Sequence, residues 1–144
     1  MDDPHVMGAG FAPTPFTADE IRTGCPDGHT LHVRTVAGDT VSEVVTRFEA
    51  GDADGVTISE EADGGASYRR VGWADLQRHA SFPVDRTTIE PERITTPLGE
   101  LDCLRYSVQR EDLMTFWFAT AHPGMPVRYA GGGSVTEVVS IERV

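Results

Sequence analysis

From His29 onward, apolar and polar side chains alternate with a period of two. Leu31 and Val33 are interleaved with His32 and Arg34. In the next run Val44, Phe48 and Ala50 share one face, while Glu43, Arg47 and Glu49 take the other. Val56 and Ile58 repeat the pattern, and a mixed run with Tyr68 and Val71 follows. Successive strand side chains point to opposite faces, so each run reads as a strand with one buried side. Turn signals separate the runs: Ala37-Gly38-Asp39, Asp54-Gly55 and Asp63-Gly64-Gly65. A spacing of roughly ten residues between turns predicts consecutive antiparallel hairpins. The period then changes at 73–80, where Trp73, Leu76 and Ala80 fall on one helical face behind Gly72, predicting a short helix laid on a sheet. Strand-like runs resume at 86–94, 101–109, 113–119, 127–130 and 135–143. The run Leu113–Ala119 is apolar on both faces and is expected to be the most buried strand.

The start of the chain differs. Residues 1–16 hold Pro4, Gly8, Gly10, Pro13 and Pro15 and read as an extended arm, docked by Phe11 or Phe16. Thr17 followed by Glu20 has the spacing of a capping box, and Gly24 and Pro26 stop the helix that it opens after one or two turns. At 144 residues the chain is one domain's length. The predicted architecture is mainly all-β: residues 17–144 form a single curved antiparallel meander of about nine strands, a half-barrel, with two short helices.

Charge narrows the partners. Twelve basic against 23 acidic side chains give a formal charge of -11, and every basic residue is an arginine. Binding to nucleic acid or to anionic lipid grows with Lys/Arg density, so a nucleic-acid role and a peripheral-membrane role are both disfavoured. No run approaches the ~20 apolar residues of a membrane span, so stable membrane insertion is not expected. The acidic start Met1-Asp2-Asp3-Pro4 is not a secretory signal, and the chain reads as cytoplasmic. In that compartment Cys25 and Cys103 read as free thiols.

The stretch Thr96-Pro97-Leu98-Gly99-Glu100-Leu101-Asp102-Cys103-Leu104-Arg105-Tyr106 resembles a pattern in bacterial half-barrel families related to the lipoprotein carriers. The run Phe116-Trp117-Phe118-Ala119 leading to Pro123-Gly124-Met125-Pro126-Val127 does so too. The resemblance covers about the last third of the chain and lies in turns and buried strands rather than in catalytic groups. It implies an incomplete antiparallel barrel wrapped around a short helix, with a hydrophobic cavity that takes acyl chains.

Candidate chemistry is sparse. Asp52, Asp54, Gly55 and Glu61 partly match a calcium loop, but Ala50 stands where the first carboxylate is needed and the flanks are strand-like. Cys25, His29 and His32 are potential zinc ligands, yet on a strand His29 and His32 would point to opposite faces. Neither metal is expected, and no cofactor is implied. His122 with Asp102 or Glu100 is the one His–carboxylate combination that could support a hydrolase, against the simpler reading of a turn-capping histidine. The glycine run 131–133 lacks the lysine and helix of a phosphate loop.

The aromatic set offers more. Met114, Phe116 and Phe118 share one face of their strand, and Leu113, Trp117 and Ala119 the other. One face would pack the helix and the other would meet a cavity or a partner. The candidate ligand-binding residues are Arg105, Tyr106, Phe116, Trp117, Phe118 and Arg128, with the arginines at the mouth as bidentate partners for a ligand carboxylate. The leading expectation is a non-catalytic module binding an apolar or amphipathic small molecule in the sheet's concavity. The alternative is a structural or protein-interaction domain, homodimeric or with another partner, whose concavity its own helix fills. A hydrolase-like enzyme using His122 comes third.

Overall fold

The computed structural model describes residues 3–142. Helix α1 (Ala18–Gly24) leads into a hairpin series, β1 (Thr30–Ala37), β2 (Thr40–Glu49), β3 (Gly55–Ala62) and β4 (Gly65–Gly72). Helix α2 (Trp73–Arg78) and a single 3-10 turn (Val84–Arg86) bridge to the second series. That series is β5 (Thr87–Thr96), β6 (Gly99–Gln109), β7 (Leu113–Ala119), β8 (Arg128–Gly131) and β9 (Ser134–Glu142). The nine strands form one curved, unclosed antiparallel sheet in the order β4-β3-β2-β1-β9-β8-β7-β6-β5. Eight pairings join the strands, and all but β1–β9 link chain neighbours. The predicted half-barrel is therefore present, and β1–β9 is the long-range seam that joins its two wings. A bulge at His32/Val33 shifts the register of this seam, which bends the sheet where the wings meet.

The local sequence signals account for the elements. Thr17 accepts from the Glu20 N–H at 3.2 Å and Glu20 accepts from the Thr17 N–H at 3.0 Å, completing the capping box of α1. In α2, Trp73 is buried and its indole N–H donates to the Asp52 carbonyl at 2.8 Å. The predicted apolar stripe of α2 has a polar neighbour that periodicity did not single out. Buried Gln77 accepts from the Ala18 N–H at 2.9 Å and donates to the Pro4 carbonyl at 2.8 Å and to Thr14 Oγ1 at 3.1 Å. One side chain thus ties both helices to the N-terminal segment, and each amide hydrogen bond satisfies a group that burial would otherwise penalise.

Within that segment Ala12, Thr14 and Phe16 are buried, whereas Phe11 is 44% exposed. Phe16 docks the arm, edge-on to Phe118 at a centroid distance of 6.2 Å. The main core lies on the concave face, between the sheet and the helices, and includes Ile21, Leu31, Phe48, Ile58, Trp73, Phe82, Tyr106 and Phe118.

The expectation for β7 needs correction. Only Phe118 and Ala119 of this strand are buried, and Leu113 is 53% exposed, whereas β3 buries Gly55, Val56, Ile58 and Ser59. Its double-sided apolarity has another cause. A second, smaller cluster of Cys103, Ala119 and Val127, with Ile94, Leu101 and Trp117 against it, sits beside the main core.

Candidate functional site

Strand register divides the sequence-predicted ligand residues between two surfaces. Tyr106 pairs with Phe116, and Phe116 with Tyr129, so these side chains share the concave face with Phe118. Arg105 pairs with Trp117, and Trp117 with Arg128, which places all three on the convex face. The aromatics and the arginines therefore do not converge on one ligand. The face of β7 that meets the helices is also the one that meets the cavity.

On the convex side the expected mouth arginines are held by acids. Arg105 donates to Glu92 and, at 2.6 Å, to Glu90; the indole of Trp117 donates to Glu92 at 2.9 Å. Arg128 donates to Glu137 at 3.2 Å and to the Thr95 carbonyl at 3.1 Å, and stacks over the Trp117 ring at 5.6 Å. Cross-strand register extends this into one row over seven strands: Glu43, Arg34, Glu137, Arg128, Trp117, Arg105, Glu90. Opposite charges facing each other across strands support the sheet, and they leave these guanidinium groups little capacity for a ligand.

The concave side holds a cavity of about 400 Å³. Phe48 and Ile58 line it from the β2–β4 wing, Phe116, Phe118 and Tyr129 from the β7–β8 wing, and Leu76 and Ala80 from α2 and the residues after it. Phe82 stacks on Phe116 at 5.1 Å, and Phe116 on Phe118 at 6.3 Å, giving one continuous aromatic wall. Met125 and Pro126, in the turn before β8, complete the lining. Tyr106 lies behind this wall rather than in it, edge-on to Phe118 at 5.2 Å, with its hydroxyl donating to the Pro13 carbonyl at 2.7 Å.

Polar groups at the cavity are few: Thr46, Glu60, Arg69 and His79. Sequence reasoning missed Arg69, although the signal was present. The turn at Asp63-Gly64 pairs Ala62 with Gly65, and counting back along the hairpin pairs Arg69 with inward-facing Ile58. Tyr68 and Arg70 must then face outward, as the strand period requires.

The other candidate chemistry resolves locally. Asp52 Oδ1 accepts from the N–H groups of Asp54 and Gly55, both at 2.9 Å, and its Oδ2 accepts from Arg70 at 2.5 Å. These backbone hydrogen bonds, helped by Arg70, hold the carboxyl below its ordinary range, and the segment is a turn rather than a calcium loop. Asp102 and Glu100 both pair with Arg93 at 3.4 Å. His122 lines a void of about 10 Å³ with Cys25 and His29, room for one water at most. Among the described residues no group of three or more His, Cys, Asp or Glu side chains could hold a metal ion, and no helix is long and apolar enough to cross a membrane.

No family model and no curated protein matches this chain.

Burial of Tyr106 makes stability depend on pH. Desolvation raises its phenol above the ordinary value of 10.0, because the low-dielectric interior disfavours the anion. Above pH 10 the unfolded chain therefore releases a proton that the folded chain keeps. Stability is full below that pH and falls as pH rises, by up to about 1.4 kcal/mol per pH unit for this one group. Burial also raises the Cys103 thiol above its ordinary 9.0, adding a limb of the same sign. Urea unfolding between pH 8 and 11.5 is expected to show the decline, and Tyr106→Phe should flatten the part above pH 10 while leaving the thiol's share.

Proposed function

We propose that this chain is a non-catalytic module that binds an apolar or amphipathic small molecule in the concavity of its half-barrel. The observation that carries this reading is the cavity of about 400 Å³ walled by Phe48, Phe82, Phe116, Phe118 and Tyr129. Ligand sites commonly have such a volume, apolar walls and a few polar groups. Burying about 200 Å² of apolar ligand surface would contribute about 5 kcal/mol before the costs of association. The resemblance of residues 96–127 to half-barrel carriers agrees with this occupant. In this reading the molecule is soluble, acts in the cytoplasm and has no nucleic-acid partner.

The alternative of an interaction domain with a self-filled interior finds less support, since the helices leave this space open. Its best observation is a convex row of exposed valines, Val41, Val36 and Val135, adjacent across β2, β1 and β9. Three valines are far short of the roughly 800 Å² that each partner contributes to a stable interface.

Ala80→Phe tests the proposal, because the new ring would occupy the cavity from its helix side. Binding of a neutral apolar fluorophore, followed by its emission, should fall at least about tenfold, the equivalent of ~1.4 kcal/mol, with cooperative unfolding retained. Native mass spectrometry of the wild type should also show a co-purifying adduct. A wild-type protein that leaves the fluorophore's emission unchanged would overturn the reading.

A further inference from the structure

Four of the inward-facing groups at the cavity are polar, and their chemistry bears on the ligand's head. Among the described residues that line the cavity, Arg69 is the only arginine. It makes one loose ion pair, to Glu60 at 3.8 Å, and among the described residues it donates no hydrogen bond. A guanidinium carries five N–H donors in a planar fork, so most of its capacity is open. By contrast Arg105 and Arg128, on the opposite face, are each held by acids at hydrogen-bond distance. Arg69 is also well placed to reach water and ligand alike, with its side chain 56% exposed, while its cross-strand partner Ile58 is buried in the core. One charged fork thus stands where an aromatic-walled cavity opens to solvent.

We infer that the ligand is an anionic amphiphile, with its tail against Phe116 and Phe118 and its carboxylate or phosphate oxygens on the guanidinium of Arg69. Glu60 is the resident carboxylate that the ligand's head replaces, and the length of the Arg69–Glu60 pair marks it as readily exchanged. His79 also lines the cavity. A tail of on the order of ten methylene-sized groups matches the volume, each group being close to the ~30 Å³ share of one water. The net charge of -11 works against any anion at long range, so recognition must be local and depend on this one fork. This inference rests on the reading of the concavity as a ligand site and adds the sign of the head.

The experiment compares ligands with one ten-carbon tail and four heads: decanoate, decyl phosphate, decanol and decylammonium. Each displaces a neutral apolar fluorophore from the wild-type protein, from Arg69→Gln and from Glu60→Gln. Decanoate or decyl phosphate should bind about tenfold tighter than decanol, as one charge-assisted bidentate contact allows, and the order of those two separates carboxylate from phosphate recognition. Arg69→Gln should remove the preference and leave decanol binding unchanged. Glu60→Gln should widen the preference, because the competing carboxylate is gone. Equal binding of all four heads, a preference for decylammonium, or a preference that survives Arg69→Gln overturns the inference while the cavity reading stands. Failure of the fluorophore and of decanol to bind at all overturns both.

Discussion

Replacing Phe118 with alanine is expected to destabilise the protein by about 3–5 kcal/mol, the range for deleting a buried aromatic ring. Phe118 is 3% exposed and sits where three aromatic neighbours meet: Phe16 at 6.2 Å, Tyr106 at 5.2 Å and Phe116 at 6.3 Å. Two of those contacts are edge-on, the geometry that the ring quadrupoles favour. The site is also poorly able to collapse. Phe118 borders the existing cavity, so truncation enlarges an open space instead of drawing neighbours inward. Cost rises with the volume left behind, which puts this substitution toward the upper part of the range. The melting temperature should fall by on the order of 10 °C for a chain of this length. Urea titration provides the free energy directly, with the slope unchanged if the unfolded state is unaffected. Trp117→Ala, one residue away on the convex face, is the control. Trp117 is only partly buried, packs against the smaller cluster and does not border the cavity, so it should cost less. A Phe118→Ala loss below that of Trp117→Ala would mean that the concave aromatic wall is not a packed core.

This pair of residues also marks how far local pattern reaches. Alternation along 113–119 correctly separates Phe116 and Phe118 from Trp117, because the strand period is two whatever the tertiary context. It does not say which side is concave. Both faces of β7 are apolar, one toward the main core and one toward the cluster around Cys103 and Ala119. The expected site of Arg105, Tyr106, Phe116, Trp117, Phe118 and Arg128 therefore spans both faces, and only the tertiary fold shows which face meets the cavity. The hairpins and the capping box of α1 were legible because their signals are confined to a few residues. The β1–β9 pairing was not, since it joins residues about a hundred positions apart and leaves no local trace. Gln77 was equally hidden, because its partners Pro4, Thr14 and Ala18 meet it only after the arm has docked. Arg69 lies between these cases: its hairpin register was countable from the turn, but only against a neighbour whose inward face was already known.

Gly55→Ala is expected to cost about 3 kcal/mol, the upper end of typical overpacking penalties. Sequence pattern reads Asp54-Gly55 as a turn, which suggests a glycine needed for its backbone angles. The structure assigns it another reason. Gly55 opens β3 directly opposite Gly72, and a Cβ added there would lie 2.3 Å from the Val71 carbonyl oxygen and 3.1 Å from the Gly72 Cα. Both obstacles are backbone, so no rotamer change relieves them, and β4 must move off β3. That movement reaches further than one pair. The Trp73 N–H donates to the Asp54 carbonyl at 3.2 Å and its indole to the Asp52 carbonyl at 2.8 Å, so the start of α2 is anchored on this corner. Leu76, His79 and Ala80, which line the cavity, follow from that anchor. Alanine also stiffens the unfolded chain by about 0.4–1 kcal/mol in its favour, too little to offset a backbone clash. Gly64→Ala supplies the comparison. Gly64 has φ of 97° but nothing within 4 Å of an added Cβ, so it carries only the left-handed backbone cost of about 1–2 kcal/mol. Chemical denaturation should therefore rank Gly55→Ala as the more damaging of the two, and fluorophore affinity should change in Gly55→Ala alone. The reverse ranking would show that backbone angle, not the approach of β4, sets the need for glycine at this corner.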